Sequence, residues 1–232
     1  MKGALGCGYP VTTEGGGLGI DVMRRAKGAP PMVALTFDDC NQEHAWTSVV
    51  DALAREEARA SFFPCGMRVE EFPEAARATL SAGHSVGSHG WDHSRLRGMA
   101  ASDVRDNLRQ DLAAWNRVAG LTSLSFFRPP YGAYDAVVLE AAERLGFSQM
   151  VLWDVDSRDW TRPGRLAIEK RVVGEAQPGS IIVLHAIDET AEAIPAIVDG
   201  LRRKGLEPVP LSALSTPPPA RQPLIAEKFS AP

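Results

Sequence analysis

Short apolar runs, each too brief for a helix, alternate along this chain with longer stretches whose apolar residues recur at helical spacing. The runs are MVALTF (32–37), ASFF (60–63), SVGS (85–88), SFF (125–127), QMVLW (149–153), SIIVL (180–184) and LEPVP (206–210). A brief apolar run bounded by turn signals fits a buried strand. Between Ser102 and Ala119, by contrast, Val104, Leu108, Leu112, Trp115 and Val118 fall on one helical face. Asp135 suits the N-cap of a further helix and Gly146 the residue just past its end, while Pro73 opens another helix that Gly83 closes. Three helices thus end in a glycine that leads into a strand, at Gly83, Gly146 and Gly205. Repeated helix-to-strand units favour a parallel sheet, as a (β/α) barrel of about seven strands or a doubly wound sheet. Both folds place their chemistry at the carboxyl ends of the strands.

With 232 residues, 44% hydrophobic and 23% charged, the chain has the composition of an ordinary globular domain. The expected division is an N-terminal extension over 1–30, one α/β domain over 31–212, and a tail over 213–232 marked by Pro217, Pro218, Pro219 and Pro223. A net charge of -4, with Lys and Arg scattered, leaves no basic footprint for nucleic acid. No stretch is long and apolar enough to span a bilayer, and the first 30 residues lack the apolar centre of a signal peptide. The chain as given therefore reads as cytoplasmic, or as secreted if an export segment has been removed from it. Cys7, Cys40 and Cys65 contain no Cys-x-x-Cys pair, so neither a disulfide framework nor a zinc ribbon is indicated. Gly15-Gly16-Gly17 is not followed by Lys-Ser or Lys-Thr and is not a phosphate loop.

Reactive residues follow the strands. MVALTF runs into Asp38 and Asp39; SVGS is followed by His89 and His93; SFF precedes Arg128-Pro129-Pro130-Tyr131-Gly132; QMVLW precedes Asp154, Asp156, Asp159 and Trp160; SIIVL ends at His185. His44 and His84 read instead as a helix-start residue and a helix-to-strand junction. Two histidines four apart with a carboxylate can form a three-ligand metal site open to water. Adjacent residues of an extended strand point to opposite sides. One of Asp38 and Asp39 could thus ligate while the other stays free as a base.

The blocks TFDD (36–39), His89-x-x-x-His93, RPPYG (128–132), DSRDW (156–160) and VLH (183–185), in this order over about 150 residues, resemble the five motifs of the polysaccharide deacetylases. This family is carbohydrate esterase family 4, or the NodB homology domain. The resemblance implies a distorted (β/α) barrel with one divalent metal at its carboxyl-terminal mouth, zinc above all, with cobalt, nickel, manganese and iron as alternatives. It implies Asp39, His89 and His93 as metal ligands, Asp38 as catalytic base and His185 as the acid that protonates the leaving amine. Asp159 matches the position that pairs with this histidine, and Arg128 the position that tethers the base. The Tyr131 backbone N–H matches the oxyanion donor, and Pro130, Tyr131, Trp160 and Val183 line the substrate site. For Arg128, a structural salt bridge to Asp154 or Asp156 is the competing reading; for Trp160, a core aromatic.

The sequence departs from the family at three places. Cys40-Asn41 stands where Gly-Pro is usual, which admits Cys40 as a fourth ligand. Gly90 stands where a Ser or Thr hydroxyl supports the histidine loop, a loss that would loosen the metal. Val183 stands where Leu is more common. Trp91 and Asp92 either line the cleft or pack the loop. The expected activity is removal of an N-acetyl group from an amino sugar, a glycan or a small N-acyl metabolite. Hydrolysis of a formamide, cyclic imide or ureide, and a non-catalytic glycan-binding scaffold, are the alternatives.

Overall fold

The first apolar run is the centre of the structure, a computed structural model that describes residues 19–214. The strands are β1 (Asp21–Met23), β2 (Met32–Asp39), β3 (Ser61–Pro64), β4 (Ser85–Val86), β5 (Phe126–Phe127), β6 (Gln149–Val151), β7 (Val155–Asp156), β8 (Ile181–His185) and β9 (Glu207–Pro208). β2 is the longest, and six of its eight residues are buried. It pairs with β3 on one side and β8 on the other in the order β4-β3-β2-β8-β7, and β9 adds to its beginning. A second sheet runs β1-β6-β5. Every strand ladder is parallel. A parallel bridge between Ser88 and Phe127 joins the two sheets, curving the strands into a distorted (β/α) barrel.

The helices are α1 (Glu43–Arg55), α2 (Gly66–Glu71), α3 (Pro73–Ser81), α4 (Ala101–Ala119), α5 (Ala136–Arg144), α6 (Arg165–Glu175), α7 (Asp188–Arg203) and α8 (Leu211–Leu214). The 102–119 periodicity corresponds to α4, which buries Val104, Leu108 and Trp115 and ends at Gly120 in the left-handed conformation. Asp135 caps α5 by accepting from the Val138 N–H at 3.1 Å. Pro73 opens α3, and Gly83, Gly146 and Gly205 each take a positive φ at the helix-to-strand junction. There a side chain would strain the backbone.

Differences from the sequence reading concern the short strands. β4 covers only the first half of the SVGS run: a Cβ on Gly87 would fall 2.4 Å from the Phe63 ring, so the sheet is pinched there. β7 is two residues long, too short to register as an apolar run. β1 lies within the segment expected to be an extension and pairs with β6. The glycine run, Cys7 and the proline-rich tail lie outside the described residues.

Candidate active site

Parallel register decides which side chains meet. Asp38 on β2 is the direct partner of His185 on β8, so the two groups stand side by side at the strand ends. Asp39 then leaves the extended region with φ 67. Strand alternation therefore does not hold across this pair, and both carboxylates line one cavity of about 450 Å³ at the barrel mouth. Cys40, His93 and Tyr131 also take positive φ without being glycine. Such backbone strain is held only where surrounding contacts over-determine it, characteristically at functional sites.

Arg128 is fully buried, and its guanidinium is anchored on every side. Nη1 donates to Asp38 Oδ1 at 2.6 Å and to Thr36 Oγ1 at 2.9 Å, while Nε and Nη2 donate to the Val151 and Leu152 carbonyls. The Phe63 ring lies 4.4 Å beneath it. Arg128 therefore pairs with Asp38, and not with Asp154, whose oxygens accept from Ser180 and Ile181. Removing one partner of such a buried pair typically costs about 3–5 kcal/mol. Thr36 completes the arrangement by donating its own hydroxyl to the Ile182 carbonyl.

Three further groups converge beside this pair. Asp39 Oδ1 lies 3.4 Å from His89 Nε2 and 3.2 Å from His93 Nε2, and the ligand atoms all fall within 4.8 Å of one another. Asp39 Oδ1 is buried yet accepts no hydrogen bond of proper geometry. A buried anion oxygen facing two imidazole nitrogens without a proton bridge is the pattern a cation satisfies. His89 Nδ1 lies 2.8 Å from the Arg128 carbonyl, which fixes Nδ1 as the protonated nitrogen and leaves the Nε2 lone pair for a ligand. Burial pushes the Asp39 carboxyl upward, but His89 and His93 outweigh it and hold the group well below the usual carboxylate range. The residues present thus fit one divalent metal.

Beside Asp38 on the neighbouring strand, His185 Nδ1 lies 2.7 Å from Asp159 Oδ1. The other Asp159 oxygen accepts from the His185 backbone N–H at 2.7 Å and from Thr190 Oγ1 at 2.6 Å. Burial would lower the His185 pKa, but the Asp159 hydrogen bond and charge prevail and push it up to about 9. Burial raises the Asp159 pKa, and His185 and Thr190 more than reverse this.

The lip of the cavity is aromatic. Tyr131 is 63% exposed and Trp160 61% exposed, so Trp160 is not a core aromatic. Val183 forms part of the wall, as does Trp153, which the sequence reading did not single out. Pro130 does not line the cavity: it is buried, and starts the 3-10 turn Pro130–Gly132 that carries Tyr131. The Tyr131 N–H donates to no group among the described residues.

Two departures from the family pattern are resolved by packing. Cys40 is wholly buried in the hydrophobic core and is not among the converging ligand groups, so it is not a fourth ligand. Gly90 does not leave the histidine loop unsupported. Asn107 of α4 reaches into it, accepting from the Trp91 N–H at 2.8 Å and donating to Asp92 at 2.9 Å. A Cβ on Gly90 would sit 2.8 Å from Asn107 Oδ1, and its φ is +74. Asp92 therefore packs the loop, and Trp91 lies against the core. The signal for Asn107 is a polar residue beside Leu108 on a buried helical face that it shares with Asp111.

A family model described as polysaccharide deacetylase matches residues 25–150. The chain is 32% identical over 183 residues to the peptidoglycan-N-acetylglucosamine deacetylase of Listeria monocytogenes, covering 78% of this chain but only 38% of that protein's length. It is 35% identical over 164 residues to the chitooligosaccharide deacetylase of Sinorhizobium fredii, covering 71% of this chain and 75% of that one. The structure of a family 4 carbohydrate esterase from Streptomyces lividans in complex with acetate superimposes with a TM-score of 0.72 at 30% identity, covering 78% of this chain and 93% of that one.

Proposed function

This chain belongs to the polysaccharide deacetylase family, and from that premise we propose that it is a hydrolase that removes N-acetyl groups from amino sugars of a glycan. The observation that carries the reading is the facing pair Asp38 and His185, each with its own buried partner, beside three converging ligand atoms. Binding a glycan requires neither member of that pair, which argues against a non-catalytic scaffold.

Asp39, His89 and His93 would hold the metal, and two imidazoles with one carboxylate suit zinc, with cobalt, nickel, manganese and iron as alternatives. When bound, it supplies Lewis acidity that polarises the acetamide carbonyl and acidifies water. Asp38 has Oδ1 committed to Arg128, so Oδ2 is the atom that takes the proton from the attacking water. Arg128 holds that carboxylate in place. The Tyr131 N–H, which has no acceptor among the described residues, would stabilise the developing oxyanion. His185 has Nδ1 engaged by Asp159, so Nε2 is the atom that gives a proton to the departing nitrogen. Trp160 and Val183 shape the pocket for the acetyl methyl. These residues lie on one α/β domain, expected over 31–212, which β1 extends toward the N-terminus.

The exposed Tyr131 and Trp160 favour a glycan over a small cyclic amide, since sugar rings stack on open aromatic faces. In a panel of acetylated chitooligosaccharides, acetylxylan, free N-acetyl sugars and cyclic amides, the zinc-loaded protein is expected to release equimolar acetate and amine from N-acetylated oligosaccharides. A chelator is expected to abolish this, and added zinc or cobalt to restore it. Ring opening of cyclic amides with inert sugars would overturn the reading.

A further inference from the structure

The turn from Asp156 to Thr161 has two sides. Asp156 and Trp160 wall the active-site cavity, whereas Ser157, Arg158 and Thr161 wall a second cavity of about 550 Å³. α6 closes its far side with Lys170, Arg171 and Glu175. Glu175 already pairs with Arg171 at 3.1 Å, and Arg158 and Lys170 form no ion pair among the described residues. Three cations against one anion give this lining a charge of +2, in a chain whose net charge is -4. Arg162 and Arg165 extend the positive surface to the start of α6. Cations there oppose the helix dipole, so helix stability does not explain them.

A concave positive surface concentrates anions. The backbone N–H groups of Arg158, Asp159, Thr161 and Arg162 are all taken up inside the turn. They form no nest of the kind that cradles phosphate. Thr161 Oγ1 donates to the Arg158 carbonyl at 2.8 Å, so the donors left to a ligand are a guanidinium, an ammonium and the Ser157 hydroxyl, which suit a carboxylate. Arg158 and Trp160 are two residues apart, so their Cα atoms lie within about 7 Å. The two cavities thus share this turn as a common wall.

We propose that the Arg158–Lys170 cavity is an anion subsite that binds a carboxylate substituent of the same glycan whose acetamido group enters the active site. This rests on the deacetylase reading above. The subsite selects acetylated glycans that carry carboxylates over neutral ones of equal length.

The test compares Arg158→Gln and Lys170→Gln with the unaltered protein, zinc-loaded, on a neutral and a carboxylated N-acetylated oligosaccharide of the same length. Each substitution is expected to raise KM for the carboxylated substrate about two- to five-fold, the scale of one exposed ion pair, with kcat and the neutral substrate unchanged. Raising salt is expected to erode the preference of the unaltered protein in the same way. Equal effects on both substrates, or none, would overturn the subsite. Calorimetric binding of the deacetylated carboxylated oligosaccharide is the second measurement. Preference over the neutral one, lost in both variants, supports the subsite even without turnover; no preference overturns it. Failure of the unaltered protein to deacetylate either substrate would sink the catalytic reading alone.

Discussion

Asp159 has no freedom left to move: one oxygen is bound by the His185 ring, the other by the His185 backbone and Thr190. Its effect on His185 is therefore a fixed property of the site. With a pKa raised from 6.5 to about 9, His185 is protonated at neutral pH and can act as the acid. The same shift is a linkage term. It contributes stability that is full below pH 6.5 and lost as pH rises through about 9. In Asp159→Asn burial, which lowers the value, is opposed only by the charges of Asp38 and Asp39, so His185 titrates below about 9. The alkaline limb of kcat/KM is expected near pH 9 in the unaltered protein and displaced downward in Asp159→Asn. An unmoved limb would show that Asp159 does not set the acid. At this scale the sequence was informative where chemistry is carried by rare residue types: Asp38, Asp39, His89, His93 and His185 stand at strand ends in the family's order. Thr36 carries no sequence signal and Asn107 only a faint one, because each acts through hydrogen bonds to another element. Pro130 was assigned to the substrate site by motif alone, and the turn places it inside.

Elements carry these residues, and their ends matter more than their middles. α4 was legible from its five apolar positions, and Asp135, Gly83, Gly146 and Gly205 from the backbone conformations that caps demand. β7, with two residues, was not, since no periodicity can be read over one repeat. The alternation rule failed at Asp39 for a related reason: it describes a strand, and the strand ends there with φ 67. The histidine loop between β4 and α4 shows what replaces an expected support. Asn107 occupies the place that a side chain at position 90 would need. Gly90→Ala must therefore displace Asn107 and also adopt a left-handed conformation, which costs an L-residue about 1–2 kcal/mol. It is expected to weaken zinc or cobalt affinity about ten-fold or more, the usual consequence of losing an outer partner of a ligand, with the fold retained by circular dichroism. Unchanged affinity would mean that Asn107 does not hold the ligands in place.

At the scale of the whole molecule, the barrel brings together groups that are separated by up to about 150 residues in sequence. The β2–β8 register sets Asp38 beside His185, and the Ser88–Phe127 bridge sets the histidine loop against the Arg128 segment. Alternating strands and helices made a parallel fold legible. The closure was implied only by the family resemblance, because it depends on two isolated bridges, Ser88–Phe127 and Arg25–Ser180, that no periodicity marks. No helix among the described residues is long and apolar enough to cross a membrane. In the proposed chemistry the work is divided between one metal, which Asp39, His89 and His93 would hold, and Asp38 as an independent base, and Asp38→Asn separates the two. With an N-acetylated chitooligosaccharide and zinc-loaded protein, the substitution should lower kcat by about 10²–10⁴-fold while zinc still binds stoichiometrically. Full activity in Asp38→Asn, with zinc bound, would contradict the assignment of the base and with it the proposed chemistry.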